Sequence, residues 1–156
     1  MGREQNTDIP QGRTKEEILQ REKFIKDFYA NWNAANPEKR VYNIHLQAFI
    51  YVRFLSIQET AEKAARSYKS TLAVTYLTEI LEFAKIAYHS KPKEGNKKQS
   101  RFFELIIMHY RKVNFGRIKM TVGVLRGSGE NIQYCITTIE KRSYNPQQTR
   151  NSYTIV

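Results

Sequence analysis

Three histidines and a concentrated set of cations hold the acid–base and phosphate chemistry available to this chain. His89 lies in YHSKPKEGNKKQSRF (88–102), where Lys91, Lys93, Lys97, Lys98 and Arg101 are met by one acid, Glu94. His109, Arg117 and Lys119 follow, then Tyr134 and Thr137. Near neutral pH an imidazole can take up a proton or release one. Lys supplies fixed charge, and Arg adds a bidentate fork. A metal-independent ribonuclease needs one group to withdraw a 2′-hydroxyl proton and another to protonate the leaving 5′-oxygen. It also needs cations to stabilise the phosphorane between those steps. His89, Arg101, His109 and Thr137 are the candidates for that chemistry. Lys91, Lys93, Lys97, Lys98, Arg117 and Lys119 are candidates for phosphate contacts. Tyr134, with Tyr110 or Phe115, is the candidate for stacking on bases.

Each choice has a plainer structural reading. His89 can cap a helix C-terminus, where a cationic imidazole is favourable. His109 can be an ordinary strand side chain, Arg101 can merely flank the strand, and Thr137 is an expected β-former. The Lys run can be a solvated loop. Other chemistries find less support. His45, His89 and His109 are far apart in sequence, with no Cys or acidic cluster at ligand spacing, so neither a metal nor a cofactor is expected. There is no GxxxxGK[ST] or GxGxxG stretch. Cys135 is the single cysteine, and at mid-strand it reads as a small buried apolar residue. It cannot form an internal disulfide, which makes a reducing cytoplasm the default location. No apolar run reaches the length of a membrane span. The start, MGREQNTDIPQGRTKEE, lacks the apolar core of a secretory signal.

The net charge of +11 is unevenly distributed. Residues 1–84 carry 12 basic and 11 acidic side chains, residues 85–119 carry 10 and 2, and residues 120–156 carry 4 and 2. A concentrated excess favours a polyanionic partner, nucleic acid first and RNA slightly before DNA. Two further readings stand beside a ribonuclease. One is a nucleic-acid-binding module without chemistry. The other is a protein-interaction or assembly factor, or a homodimer, that uses the Tyr-rich helices. Ten tyrosines and one tryptophan suit an interface, and they suit an aromatic core equally well.

These residues need elements to position them. Residues 1–13 are polar and expected to be a disordered tail, and residues 143–156 are expected to be a polar C-terminal tail. Residues 14–142 are expected to form one α+β domain, helical over 14–88, a basic loop over 89–100 and a sheet over 101–142. Thr14 and Glu17 form a capping box, and Pro37 ends the first helix near Asn36. VYNIHLQAFIYVRFL suits a helix through Ile44, Ala48, Tyr51, Val52 and Leu55, with a strand as the alternative. A second capping box at Ser56 and Glu59 opens a helical period of about thirty residues, through Ala87, with a break near Ser67 to Ser70. After Ser100 the period becomes two: RFFELIIMHYRKV, GRIKMTVGVLR and NIQYCITTIEKR read as strands. Gly127-Ser128-Gly129-Glu130 is a hairpin turn, and Asn114-Phe115-Gly116 another. The expected fold is therefore N-terminal helices packed on a C-terminal antiparallel β-meander of three or more strands.

That layout, with His, Arg, Lys and hydroxyl residues on the sheet, resembles the superfamily of small ribonucleases over about residues 15–140. The superfamily includes barnase, the EndoU nucleases, the nuclease colicins and RelE-type toxins, with phage-encoded relatives. The resemblance rests on the order of elements and on residue types. It implies RNA as substrate and metal-independent cleavage, and it transfers no residue's role. The chain is also similar to small proteins carried by bacterial mobile elements, which implies a host rather than an activity.

Overall fold

Thr14 starts the first helix, α1 (Lys15–Ala35), as its capping box predicts. The Thr14 hydroxyl accepts from the Glu17 N–H at 3.2 Å, and the Glu17 carboxylate accepts from the Thr14 N–H at 3.3 Å. Asn36 caps its end, immediately before Pro37. Ile25, Tyr29 and Trp32 form its buried stripe. The computed structural model describes residues 9–139. The two expected tails therefore lie largely outside the described residues. Residues 9–13 fold back onto α1: Ile9 is buried, and the Pro10 carbonyl accepts from the fully buried Arg21.

The segment expected to continue as helix is a β-hairpin. Strands β1 (Arg40–Asn43) and β2 (Ala48–Tyr51) pair antiparallel, with Arg40 opposite Tyr51 and Asn43 opposite Ala48. Asn43 decides the matter locally. Its side-chain oxygen accepts from the His45 and Leu46 N–H groups at 3.0 and 2.6 Å, closing a turn that a helix could not contain. The β-branched and aromatic residues on either side then pair across the hairpin.

The long helix also resolves into pieces. It runs as α2 (Phe54–Ala64), α3 (Tyr68–Val74) and α4 (Leu77–Phe83). Ser67 restarts it as the cap of α3, accepting from the Ser70 N–H at 3.0 Å, within the region where a break was expected. The Thr71 and Thr75 hydroxyls bond to backbone carbonyls one turn back, which weakens helical continuity. The second capping box does not form as expected. The helix begins earlier, and the Ser56 hydroxyl accepts from the Arg53 N–H at 2.9 Å. Residues Lys85–Ser90 leave the helical path altogether and form strand β3. His89 is thus a strand residue and caps no helix.

Strands β4 (Phe102–Lys112), β5 (Gly116–Leu125) and β6 (Asn131–Ile139) form the predicted meander. Gly127 (φ +87°) and Gly129 (φ +74°) turn the chain between the last two, a conformation that suits glycine. The sheet is wider than the meander and it is mixed. Its order is β1-β2-β6-β5-β4-β3, with β2 and β6 parallel and the other pairs antiparallel. The class is α+β. The strict order of helices first and sheet second does not hold, because three of the six strands among the described residues come before residue 91.

One face of the sheet carries the helices. Ile106, Met108, Ile118, Met120 and Ile136 on this face share a core with Ile25, Tyr29, Val74 and Leu77. Ala61 and Ala64 of α2 join this core, as the Ala-rich pattern there suggests. A bulge at Tyr134 resets the phase of β6: Thr121 pairs with Cys135, but Val122 pairs with Gln133. Gln133 therefore turns inward, where it accepts from the Tyr29 hydroxyl at 2.6 Å and donates to Thr60 at 2.9 Å. On the opposite, outer face, Phe102, Leu105, Ile132 and Tyr134 form a second cluster with Leu55 of α2.

Candidate nucleic-acid interface

The strand register places several sequence-selected residues in one line on the outer face. Lys85 pairs with His109, His109 with Lys119, and Lys119 with Thr137, giving a row across β3, β4, β5 and β6. Cross-strand partners share a face and stand about 5 Å apart at Cβ. In the next row Arg111 lies directly opposite Arg117. Like charges in that position repel. Among the described residues none of Lys85, Arg111, Arg117 or Lys119 takes part in an ion pair. Partial burial, then the nearby Arg117, Lys119 and Arg111 charges, hold the His109 imidazole below its ordinary pKa. His109 is therefore mostly neutral near pH 7.

Two clefts border this row. The first, about 770 Å³, lies between the outer face and the 91–100 loop, with α2 as a wall. Lys119 and Thr137 line it from the sheet, Lys93 and Lys97 from the loop, and Lys63 and Arg66 from α2 or its end. The loop is not a free linker. The Gln99 side chain accepts from the Lys93 N–H at 2.7 Å, and Asn96 accepts from the Lys98 and Gln99 N–H groups. Lys98 reaches down to the buried Glu59 carboxylate at 2.5 Å and lies 3.5 Å from Glu62. The Glu59 bond is the main reason its pKa is raised. Lys98 thus pins the loop to α2, and its charge is already matched by carboxylates.

The second cleft, about 660 Å³, opens at the β4 edge where β3 begins. Lys85, His109, Arg111 and Arg117 line it, together with His45 from the hairpin turn. Sequence reasoning missed His45, Lys85 and Arg111. The signal for Arg111 was present: a period of two puts residues 109, 111, 117 and 119 on one face once β4 and β5 pair. Nothing local indicated His45, because its turn was expected to be helical.

The remaining selected residues lie elsewhere. His89 pairs in register with Ile106, which gives it the helix-side phase, and its Nδ1 is 2.9 Å from the Glu104 carboxylate. It does not meet His109. Arg101 precedes β4 at the far end of that strand, roughly 25 Å from His109. There it borders a hollow with Arg53 and Phe54. Lys91 borders a separate hollow with Phe103 and Arg126. Tyr134 is only 6% exposed and packs edge to face on Phe102, with centroids 5.6 Å apart. Its ring belongs to the core and leaves no open face for a base. Tyr110 donates to Glu79 at 2.5 Å, and Phe115 packs on Tyr76. Burial, with Glu59 as a smaller cause, pushes the Cys135 thiol up to about 12, so it is not the activated thiolate a nucleophile requires.

Among the described residues, no group of three His, Cys, Asp or Glu could hold a metal ion, and no helix is long and apolar enough to cross a membrane. Comparison of the chain with models of protein families, with curated proteins and with solved structures returns no match.

Proposed function

We propose that the protein binds nucleic acid, RNA before DNA, along the outer face of its sheet. The observation that carries this reading is the row of Lys85, His109, Lys119 and Thr137 beside the Arg111–Arg117 pair, whose cations meet no carboxylate among the described residues. Such a face retains like-charge repulsion, and a polyphosphate backbone would relieve it. The Thr121 and Thr137 hydroxyls border the same cleft as Lys119 and can bond a ribose 2′-hydroxyl. The alternative of a protein-interaction factor has less support, because Tyr29 and Trp32, the largest aromatics of α1, are buried in the core.

The test is a titration of labelled single-stranded RNA, and of DNA of the same sequence, in EDTA at about 50 and about 300 mM salt. Four phosphate contacts on a single strand would weaken binding about a hundredfold between those concentrations. Lys119→Ala should weaken binding, while Lys26→Ala, on the exposed side of α1, should leave it unchanged. Binding that ignores salt, or that both variants retain equally, would refute the assignment.

A further inference from the structure

We infer that the cleft under the 91–100 loop receives one end of a single-stranded RNA and holds a terminal phosphomonoester there. This rests on the nucleic-acid reading above and specifies the substrate of that face. The outer face loses exposure row by row along its strands. Arg111, Arg117 and Ile139 form an exposed row, and in the next row His109, Lys119 and Thr137 are partly buried. In the row after that, Ile107 and Thr121 are buried beside a partly buried Cys135. Beyond it Leu105 and Gly123 are covered. The floor therefore descends from the arginine pair to a closed end beneath the loop.

A strand cannot run on through that end. Phe102 packs onto Gly123, where an added Cβ would come within 2.6 Å of its ring, so the floor has no room past this point. Lys98 crosses from the loop to the buried Glu59 carboxylate at 2.5 Å and closes the end as a strut. The loop that carries it is fixed internally through Gln99 and Asn96. A polynucleotide lying along the face from the arginine pair therefore ends in the cleft. The volume of about 770 Å³ is that of a pocket enclosing one small ligand, here the terminal nucleotide. Charge decides what that nucleotide carries. Lys63, Arg66 and Lys98 share the Glu59 and Glu62 carboxylates. Lys93, Lys97 and Lys119 line the same space and meet no carboxylate among the described residues. An internal phosphodiester would bring one negative charge to them. A terminal phosphomonoester brings nearly two near pH 7, with three strong acceptor oxygens. Those three ammonium groups, with the Thr137 hydroxyl on the floor, match the monoester.

The experiment titrates the full chain, in EDTA at low salt, with one short single-stranded RNA sequence in four forms. These carry a 5′-phosphate, a 3′-phosphate, hydroxyls at both ends, or no ends because the RNA is closed into a circle. At least one phosphorylated form should bind about tenfold more tightly than the hydroxyl form, the worth of one charge-assisted contact. The circle should bind most weakly. Whichever phosphorylated form binds more tightly identifies the end that the cleft takes. The double variant Lys93→Gln/Lys97→Gln should bring the phosphorylated and hydroxyl forms within about twofold of each other. Arg111→Gln, in the exposed row, should weaken all four forms by a similar factor. Thermal unfolding shows whether any lost affinity reflects a lost fold, and single substitutions at Lys93 and Lys97 would replace the double variant if it did. A circle that binds as tightly as the linear forms would overturn the closed end and leave the binding face standing. Equal affinity for hydroxyl and phosphorylated forms would overturn the phosphomonoester. A preference that survives loss of the loop lysines would also refute the assignment. Absence of binding to every form would overturn this reading together with the binding face it rests on.

Discussion

Arg117→Gln should raise stability and weaken RNA binding in the same molecule. Arg117 stands directly opposite Arg111 on adjacent strands, with no carboxylate within ion-pair distance of either among the described residues. Two unit charges about 5 Å apart in water repel by roughly 1 kcal/mol, and exposure and salt reduce this to about 0.5 kcal/mol. For a domain of this size that corresponds to a rise in melting temperature of about 1 to 2 °C at low ionic strength. The gain should vanish near 1 M salt, where the Debye length is about 3 Å. Removing one phosphate contact should also lower the slope of log affinity against log salt by about 0.7. Thermal unfolding at low and high salt, paired with RNA titrations over the same range, measures both quantities. Lys26→Gln serves as control, since it removes the same formal charge from α1. A lower melting temperature for Arg117→Gln at low salt, or an unchanged salt slope, would refute the reasoning that these cations repel each other and await an anion.

Three other perturbations test the structure around this face. Tyr29→Phe strips the donor from the buried Gln133 oxygen and should cost about 1 to 3 kcal/mol in chemical denaturation, with α1 helicity retained by circular dichroism. At Gly123 a Cβ would come within 2.6 Å of the Phe102 ring, so Gly123→Ala should cost about 1 to 3 kcal/mol. Adding Phe102→Leu should recover part of that loss, and strict additivity of the two effects would argue against the contact. The lowered His109 pKa means that the unfolded chain binds this proton more readily than the folded one. Its contribution to stability is complete above the unfolded value of about 6.5 and is lost as pH falls through the folded value. Denaturation midpoints for wild type should therefore decline more steeply than those of His109→Gln on acidification from about pH 7 to about pH 5.

How much of this was legible depended on whether the relevant signal was local. The meander was, because β4, β5 and β6 are rich in β-branched and aromatic residues and are joined by turns rich in Gly and Asn. The first helix was legible too, since Thr14, Glu17 and Pro37 mark its two ends within a few residues. The β1–β2 hairpin was not. Its apolar residues satisfy a helical spacing about as well as an alternating one, and the turn at Asn43 is docked by bonds to α4 and its end that no local pattern reveals. Strand β3 was read as the end of a helix because Ala87 continues the helical period, although Ile86 and Tyr88 alternate. Of the selected chemistry, His109, Arg117, Lys119 and Thr137 do share a face, because a period of two fixes side-chain direction. Tyr134 was misjudged as a stacking residue because Phe102, distant in sequence, packs against its ring. His45 lay beyond reach, since only the docked turn carries it to the cleft.

The parallel pairing of β2 with β6 has a consequence for the order in which the chain can assemble. Ile50 and Tyr51 find their partners at Asn131 and Ile132, and the Tyr29 hydroxyl finds its acceptor at Gln133. On a ribosome, α1 and the first hairpin must wait until β6 has emerged before these contacts exist. Strands β4 to β6 pair with near neighbours and can form as soon as they emerge, while long-range closure is the slow part of folding. A nascent chain stopped before β6 would hold α1 and the first hairpin without their last support. Strand β6, the last among the described residues, is thus the one that seals the sheet, and protection of the early segments against proteolysis should appear only once it has emerged.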